Sequence, residues 1–271
     1  MTEQQRKLVD VLAWFHKVCE KYELRYYIIA GTMLGAVRHG GFIPWDDDID
    51  VGMPRSDYER LRELAKDMPE KEYLFEFPGD ESPEVSALFA KIYDTSTTLI
   101  EKRRYPIKRG IYIDIFPLDG IGNTMDEARR NYRPFYRNFA LYLTITSAFL
   151  KRRSLKKNLA VLVGRFISPL FVKRRRLAKK VETLCKRFDF DESVLVSNLL
   201  GGAAYKGIVP RDYFGTPTMI AFEGLLVYGL EKPELYLSSM YGDYMKLPPE
   251  EKRISLHDAS ICDLDKSFLD T

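Results

Sequence analysis

Asp46, Asp48 and Asp50 fall on alternate positions of the run Trp45-Asp-Asp-Asp-Ile-Asp-Val51, and along an extended strand alternate side chains share one face. The spacing predicts three carboxylates about 6 to 7 Å apart in a row, with Ile49 and Val51 turned into the core. Carboxylates so crowded repel one another and lose hydration wherever the strand is buried, and a divalent cation reverses both penalties. Oxygen ligands suit Mg2+, with Mn2+ as the variant, and Mg2+ commonly takes one or two protein carboxylates and completes its shell with water and substrate phosphate. The expected ligand is therefore a nucleoside diphosphate or triphosphate. Asp46 and Asp47 equally suit a solvated turn or a cap, and Trp45 equally suits the core.

Upstream, residues 24–30 are β-branched and aromatic and stop at Gly31-Thr32. This predicts a strand, a turn, and a short helix over 33–37 capped by Thr32. A helix start at that point offers backbone N–H groups and the positive dipole end to a phosphate, and Gly31 permits close approach. Arg38 and His39 at the helix end either meet ligand or complement the dipole.

The surrounding elements read as helices flanking a mixed sheet, an α+β chain. Residues 3–22 carry an apolar stripe (Leu8, Val11, Leu12, Phe15, Val18, Cys19, Tyr22) at helical spacing. Ser56 and Glu59 form a capping-box pattern opening a helix to Lys66. Residues 73–77, 87–93, 97–100 and 111–116 read as strands. Asp114 projects alone from the last of these, between Ile113 and Ile115, and Asp119 beyond Pro117 reads as a turn residue. Thr124 and Glu127 repeat the capping pattern before a basic, aromatic helical stretch to Arg187, interrupted near Pro134 and Pro169. A strand over 222–227 and a helix opened by Pro233 and stopped at Gly242 complete the chain. The organisation expected is a catalytic core over 1–123, an inserted basic helical lobe over 124–190, and a part completing the catalytic domain over 191–271.

Of the 271 residues, 45% are apolar and 30% charged, the proportions of a soluble globular protein. The amino terminus has no basic-then-apolar signal pattern, so a cytoplasmic location is expected. Cys19, Cys185 and Cys262, with His16, His39 and His257, have no zinc or disulfide spacing. Nucleophilic Ser or Cys chemistry, a Walker A loop and a dinucleotide fingerprint are absent too. Between Arg129 and Arg187 there are 18 Lys or Arg against the one acid Glu182, a net +17 in a chain totalling +3, so the remainder is net −14. That acidic remainder argues against a nucleic-acid binder. Lys151-Arg152-Arg153, Lys156-Lys157 and the cations over 173–176 flank apolar stretches over 139–150 and 158–172. Neither stretch suits a spanning helix of about 20 residues. Together they suit helices lying at an anionic membrane surface, here the inner face of the plasma membrane; a solvated lobe or a patch for an acidic partner is the other reading.

Gly31-Thr32 followed by a strand with alternating acids resembles the nucleotidyltransferase superfamily of the polymerase-β type, in which a Gly-Ser or Gly-Gly pair precedes a strand carrying two alternating carboxylates. Gly31-Thr-Met-Leu-Gly-Ala-Val-Arg-His39, Ile43-Pro-Trp-Asp-Asp-Asp-Ile-Asp50, Tyr112-Ile-Asp-Ile-Phe-Pro117 and Gly242-Asp-Tyr-Met-Lys-Leu-Pro-Pro249 more closely resemble one branch, the LicD family of phosphocholine transferases, related to fukutin-related proteins. The resemblance implies a third carboxylate from a later strand, a slot that Asp114 fits. It also implies that Tyr241, Gly242 and Asp243 contribute to the substrate pocket, although a helix cap with packing tyrosines gives the same pattern. The implied reaction is transfer of phosphocholine from CDP-choline to a hydroxyl of a lipid-linked oligosaccharide or teichoic acid precursor, with CMP released. Asp48, Asp50 and Asp114 are then the expected metal ligands and catalytic acids. Gly31 and Thr32 would hold phosphate, Arg38 or Lys91 would add charged contacts, and Trp45 or Tyr112 would offer an aromatic face to the choline head, with a carboxylate such as Asp46 near the site.

Three rivals use overlapping residues. A nucleotidyltransferase moving a nucleoside monophosphate from an NTP needs nearly the same acids, and CDP-ribitol could replace CDP-choline. A glycosyltransferase with an Asp-x-Asp pair places a nucleotide-binding α/β half before it, whereas here only the segment up to Trp45 precedes. A non-enzymatic membrane-associated protein would leave an acidic strand with a stability cost and no use.

Overall fold

The computed structural model describes residues 1–68, 72–79, 87–101, 108–146, 174–254 and 259–270. Thr2 opens helix α1 (Glu3–Lys21) with a reciprocal cap: its hydroxyl accepts the Gln5 N–H at 3.2 Å and its own N–H donates to Gln5 Oε1 at 2.8 Å. The stripe Leu8, Val11, Leu12, Phe15 and Cys19 is buried, and each large apolar side chain so covered contributes about 1.5–3 kcal/mol.

Chain order then runs β1 (Tyr27–Ile28), α2 (Ala30–His39), β2 (Asp50–Pro54), α3 (Arg55–Ala65), β3 (Tyr73–Glu76), β4 (Ala90–Asp94), β5 (Thr98–Glu101), β6 (Lys108–Arg109) and β7 (Tyr112–Gly122). After β7 come α4 (Met125–Thr146), α5 (Arg174–Cys185), β8 (Leu195–Ser197), β9 (Ile208–Pro210), β10 (Thr218–Phe222), β11 (Leu225–Gly229), α6 (Pro233–Tyr241) and β12 (Ala259–Asp263). The main sheet has the order β1-β2-β7-β4-β3, and β8 and β9 extend it from the second half of β7. Its β2–β7 pair is parallel, while β1–β2, β4–β7 and β3–β4 are antiparallel. This is the mixed α+β architecture expected from the pattern. A hairpin β10–β11 and a three-stranded sheet β12-β5-β6 flank it.

Several boundaries differ from the sequence reading. The first strand shrinks to two residues because α2 starts earlier, at Ala30. Helix α3 begins at Arg55 without a side-chain cap, since the Ser56 hydroxyl accepts from Arg25 and Glu59 is drawn to Arg55 and Lys186. Strand β7 continues through Pro117 to Gly122, so Asp119 is not a turn residue but a fully buried one. Its two carboxylate oxygens each accept from the Arg55 guanidinium at 2.7 Å, and that partner inside the fold is what the local Pro signal could not reveal. Helix α4 runs unbroken past Pro134, since Ala128, Tyr132 and Phe135 anchor it in the core and Tyr142 and Ile145 pack on Leu177 of α5. The second capping pattern forms by half: the Glu127 N–H donates to Thr124 Oγ1, but the Glu127 carboxylate accepts from the Asn123 N–H, one residue before the cap. The readings for 147–173 and for His257 lie outside the described residues. Among the described residues no helix is long and apolar enough to cross a membrane.

Candidate active site

Strand register builds the site. Asp50 of β2 lies opposite Asp114 of β7, and Asp114 lies opposite Lys91 of β4, so three neighbouring strands set these side chains in one line across one face. Lys91 is 4% exposed, and its ammonium donates to Asp114 Oδ1 while standing 3.4 Å from the centre of the Tyr112 ring. The Tyr112 hydroxyl in turn donates to Glu101 at 2.9 Å. Lys91 and Tyr112, expected at phosphate and choline, thus have protein partners: Lys91 neutralises an acid and covers one face of Tyr112.

Asp46 and Asp48 lie on the loop before β2, not on the strand as expected. A turn after Ile43-Pro44 closes with the Asp46 N–H on Ile43 O at 2.8 Å, and α1 pins the loop through Gln5 Nε2 to Asp46 O at 2.9 Å and Gln4 Nε2 to Asp47 O at 3.4 Å. The acids converge regardless of the broken strand. Burial pushes the Asp50 carboxyl well above the usual range, Asp48, Asp114 and Asp46 add repulsion, and Lys91 only partly opposes them. Burial also raises Asp114, against the pull of Lys91.

Helix α2 frames Asp50. Thr32 does not cap this helix, whose N-cap residue is Ile29; its hydroxyl accepts the Asp50 N–H at 2.8 Å. Gly31 lies against the acidic loop, where an added Cβ would come within 2.9 Å of Asp46 Oδ2. The glycine-threonine pair therefore brings a helix start and the acids together.

The carboxy-terminal motif arrives from α6. Partial desolvation raises the hydroxyl of Tyr241, itself 43% exposed, with lesser repulsion from Tyr236, Asp50, Asp46 and Asp48. Gly242 ends the helix at φ +72, a conformation that favours glycine. Asp243 and His39 are exposed, and Trp45 is half-buried with the Arg253 guanidinium 5.8 Å from its ring. Arg38 donates to Tyr244 O and to His39 Nε2, each at 2.9 Å. Tyr236 escaped the sequence reading because one tyrosine among 17 carries no local signal. It is 4% exposed, its hydroxyl accepts the Ala30 N–H at 3.2 Å, and it feels the charge of Asp50.

A cavity of about 50 Å³ beside the acids is lined by Asp47, Asp48, Glu101 and Tyr112. A larger one of about 400 Å³, walled by Arg55, Arg62, Arg174, Arg175 and Lys179, is lined by none of the clustered acids. Among the described residues no three His, Cys, Asp or Glu side chains are arranged to hold a metal ion. Asp114 is engaged by Lys91. Asp48 and Asp50, hard oxygen donors whose crowding calls for positive charge, are the pair that could hold Mg2+.

A mixed sheet with a parallel central pair, acids at the head of one strand and on its neighbour, and a helix start laid against them defines a nucleotidyltransferase-type fold. Residues 23–140 match the family model described as LicD/FKTN/FKRP, nucleotidyltransferase domain. The lipopolysaccharide cholinephosphotransferase LicD of Haemophilus influenzae is 31% identical over 259 residues, 95% of this chain and 96% of that protein. The ribitol 5-phosphate transferases FKRP of human and mouse are each 37% identical over 59 residues, 22% of this chain and 12% of theirs. The chain belongs to the LicD family.

Proposed function

We propose that this protein transfers phosphocholine from CDP-choline to a hydroxyl of a lipid-linked cell-surface glycan, a lipopolysaccharide or teichoic acid precursor, releasing CMP. The observation that carries the reading is a similarity to a cholinephosphotransferase that runs nearly end to end, together with the line of Asp50, Asp114 and Lys91 that strand register sets in this chain. The acceptor oxygen attacks the β-phosphorus, the bond to the bridging oxygen breaks, and CMP leaves with the electron pair. The hydroxyl proton passes to a carboxylate, for which Asp114 is the residue on the neighbouring strand. Asp48 and Asp50 would hold Mg2+, which supplies charge neutralisation to the donor diphosphate. The Asp50 carboxyl, raised by burial and then by its acidic neighbours, ionises more readily beside such a charge.

A choline head carries a fixed positive charge and no hydrogen-bond donor, so aromatic faces and carboxylates suit it. With Lys91 over Tyr112, Tyr241 beside the acids is the aromatic best placed, and Trp45 is the second. Residues 124–190 form, in this reading, a lobe that meets an anionic membrane, inserted into one catalytic unit made by 1–123 and 191–271. Exposed Arg129, Arg130, Arg133 and Arg137 on α4, interleaved with exposed Tyr136 and Leu141, support it. The local match to ribitol 5-phosphate transferases favours CDP-ribitol as the second donor to try.

Incubation with Mg2+, an acceptor-bearing membrane extract, and separate CDP-choline, CDP-ribitol and NTPs tests the assignment. CMP from CDP-choline supports it. CMP only from CDP-ribitol transfers the assignment to that donor, and pyrophosphate from an NTP overturns it.

A further inference from the structure

Both backbone groups of Asp50 are held by the first turn of α2: its N–H donates to Thr32 Oγ1 at 2.8 Å, and its carbonyl accepts the Ile29 N–H at 3.0 Å. Between these two residues lies Ala30 at φ +49, in the left-handed region that residues with a Cβ rarely adopt. Nothing in α2 itself secures it. The N-cap residue Ile29 makes no side-chain bond, and the Ala30 N–H is one of the donors that a helix start leaves without an intrahelical acceptor.

The acceptor comes from α6, as the Tyr236 hydroxyl at 3.2 Å. Tyr236 is itself fixed, 4% exposed and edge-on to Phe214. At the far end of α2, Arg38 Nη1 donates to Tyr244 O at 2.9 Å, in the turn that follows Gly242. One short segment, 236–244, thus grips both ends of the helix that frames Asp50.

We propose that α6 and the turn after it form a clamp on α2, with Tyr236 the positioning residue that sets Asp50. The proposal rests on the transfer reaction above, and it gives the carboxy-terminal motif work that does not require Asp243 to touch substrate. Tyr236 acts through the Ala30 backbone.

Tyr236→Phe keeps the ring and removes only the acceptor. Its kcat for CMP release should fall about tenfold to a hundredfold, as for a reacting group displaced by a fraction of an ångström, while the donor KM stays within about twofold. Adding Ala30→Gly supplies a residue for which φ +49 is unstrained, and should restore most of the lost rate. Arg38→Gln, which opens the other grip near the surface, should give a smaller loss of the same kind. Hydrogen exchange at the Asp50 amide supplies a readout independent of catalysis: faster in Tyr236→Phe, slowed again by Ala30→Gly. Wild type that releases no CMP overturns the functional reading alone, and the exchange measurement then decides the clamp. Unchanged Asp50 exchange in Tyr236→Phe, or a loss of kcat that follows melting temperature and ignores Ala30→Gly, overturns the clamp.

Discussion

Lys91 lies almost wholly inside the fold with its ammonium on Asp114 and over the Tyr112 ring, so the fold itself neutralises one acid of the cluster. Removing that ammonium leaves Asp114 buried without a counter-charge, a change that costs about 3–5 kcal/mol. Lys91→Met should therefore lower unfolding free energy by roughly that amount in urea titration, and Asp114→Asn in the same chain should return a large part of it. A single variant as stable as wild type would show that the pair does not hold the site. Asp48 and Asp50 stand differently: their charges repel within the cluster. Asp50→Asn should then leave the metal-free fold at least as stable as wild type while cutting CMP release about a hundredfold or more. Loss of stability in step with activity would contradict that division of roles.

Glu59 joins α3 to the residue just past α5, facing Arg55 at 3.3 Å and Lys186 at 2.9 Å. Burial pulls its carboxyl upward, but hydrogen bonds and charge from Lys186 and Arg55 hold it below the usual 4.5. A carboxyl lowered in the folded state contributes stability that is present above about pH 4.5 and is lost as pH falls through the lowered value. At partial exposure the effect stays below about 1 kcal/mol. Melting curves from pH 6 to 3.5 should thus show a smaller acid drop for Glu59→Gln than for wild type, and equal drops would remove the linkage. Elements with a one-dimensional signature were legible in the sequence: the stripe of α1, the acids flanked by Ile49 and Val51, the isolated Asp114, and the Pro233 to Gly242 helix. What was not legible depends on partners distant in sequence. The line of Asp50, Asp114 and Lys91 exists only through register, Asp119 is kept in β7 by Arg55, and Thr32 gives up a cap to hold Asp50.

Charge is divided across the whole molecule, with net +17 between Arg129 and Arg187 and net −14 elsewhere. On α4 and α5 the described cations Arg129, Arg130, Arg133, Arg137, Arg175, Arg176, Lys179 and Lys180 are exposed. Each exposed cation near an anionic lipid surface contributes about 1 kcal/mol. Vesicles containing phosphatidylserine should therefore pellet the protein at low salt and release it at high salt, and glutamate at the four α4 arginines should abolish pelleting. Equal pelleting on neutral vesicles would contradict a charge-led contact. That contact would bring a lipid-linked acceptor to the acids, and the account turns on what those acids hold. Calorimetric titration of CDP-choline into wild type and Asp50→Asn, each with Mg2+ and with EDTA, measures it most directly. Binding to wild type should require Mg2+ and be lost in Asp50→Asn; equal affinity in EDTA, or undiminished affinity in Asp50→Asn, would show that these acids do not hold a metal-bound donor.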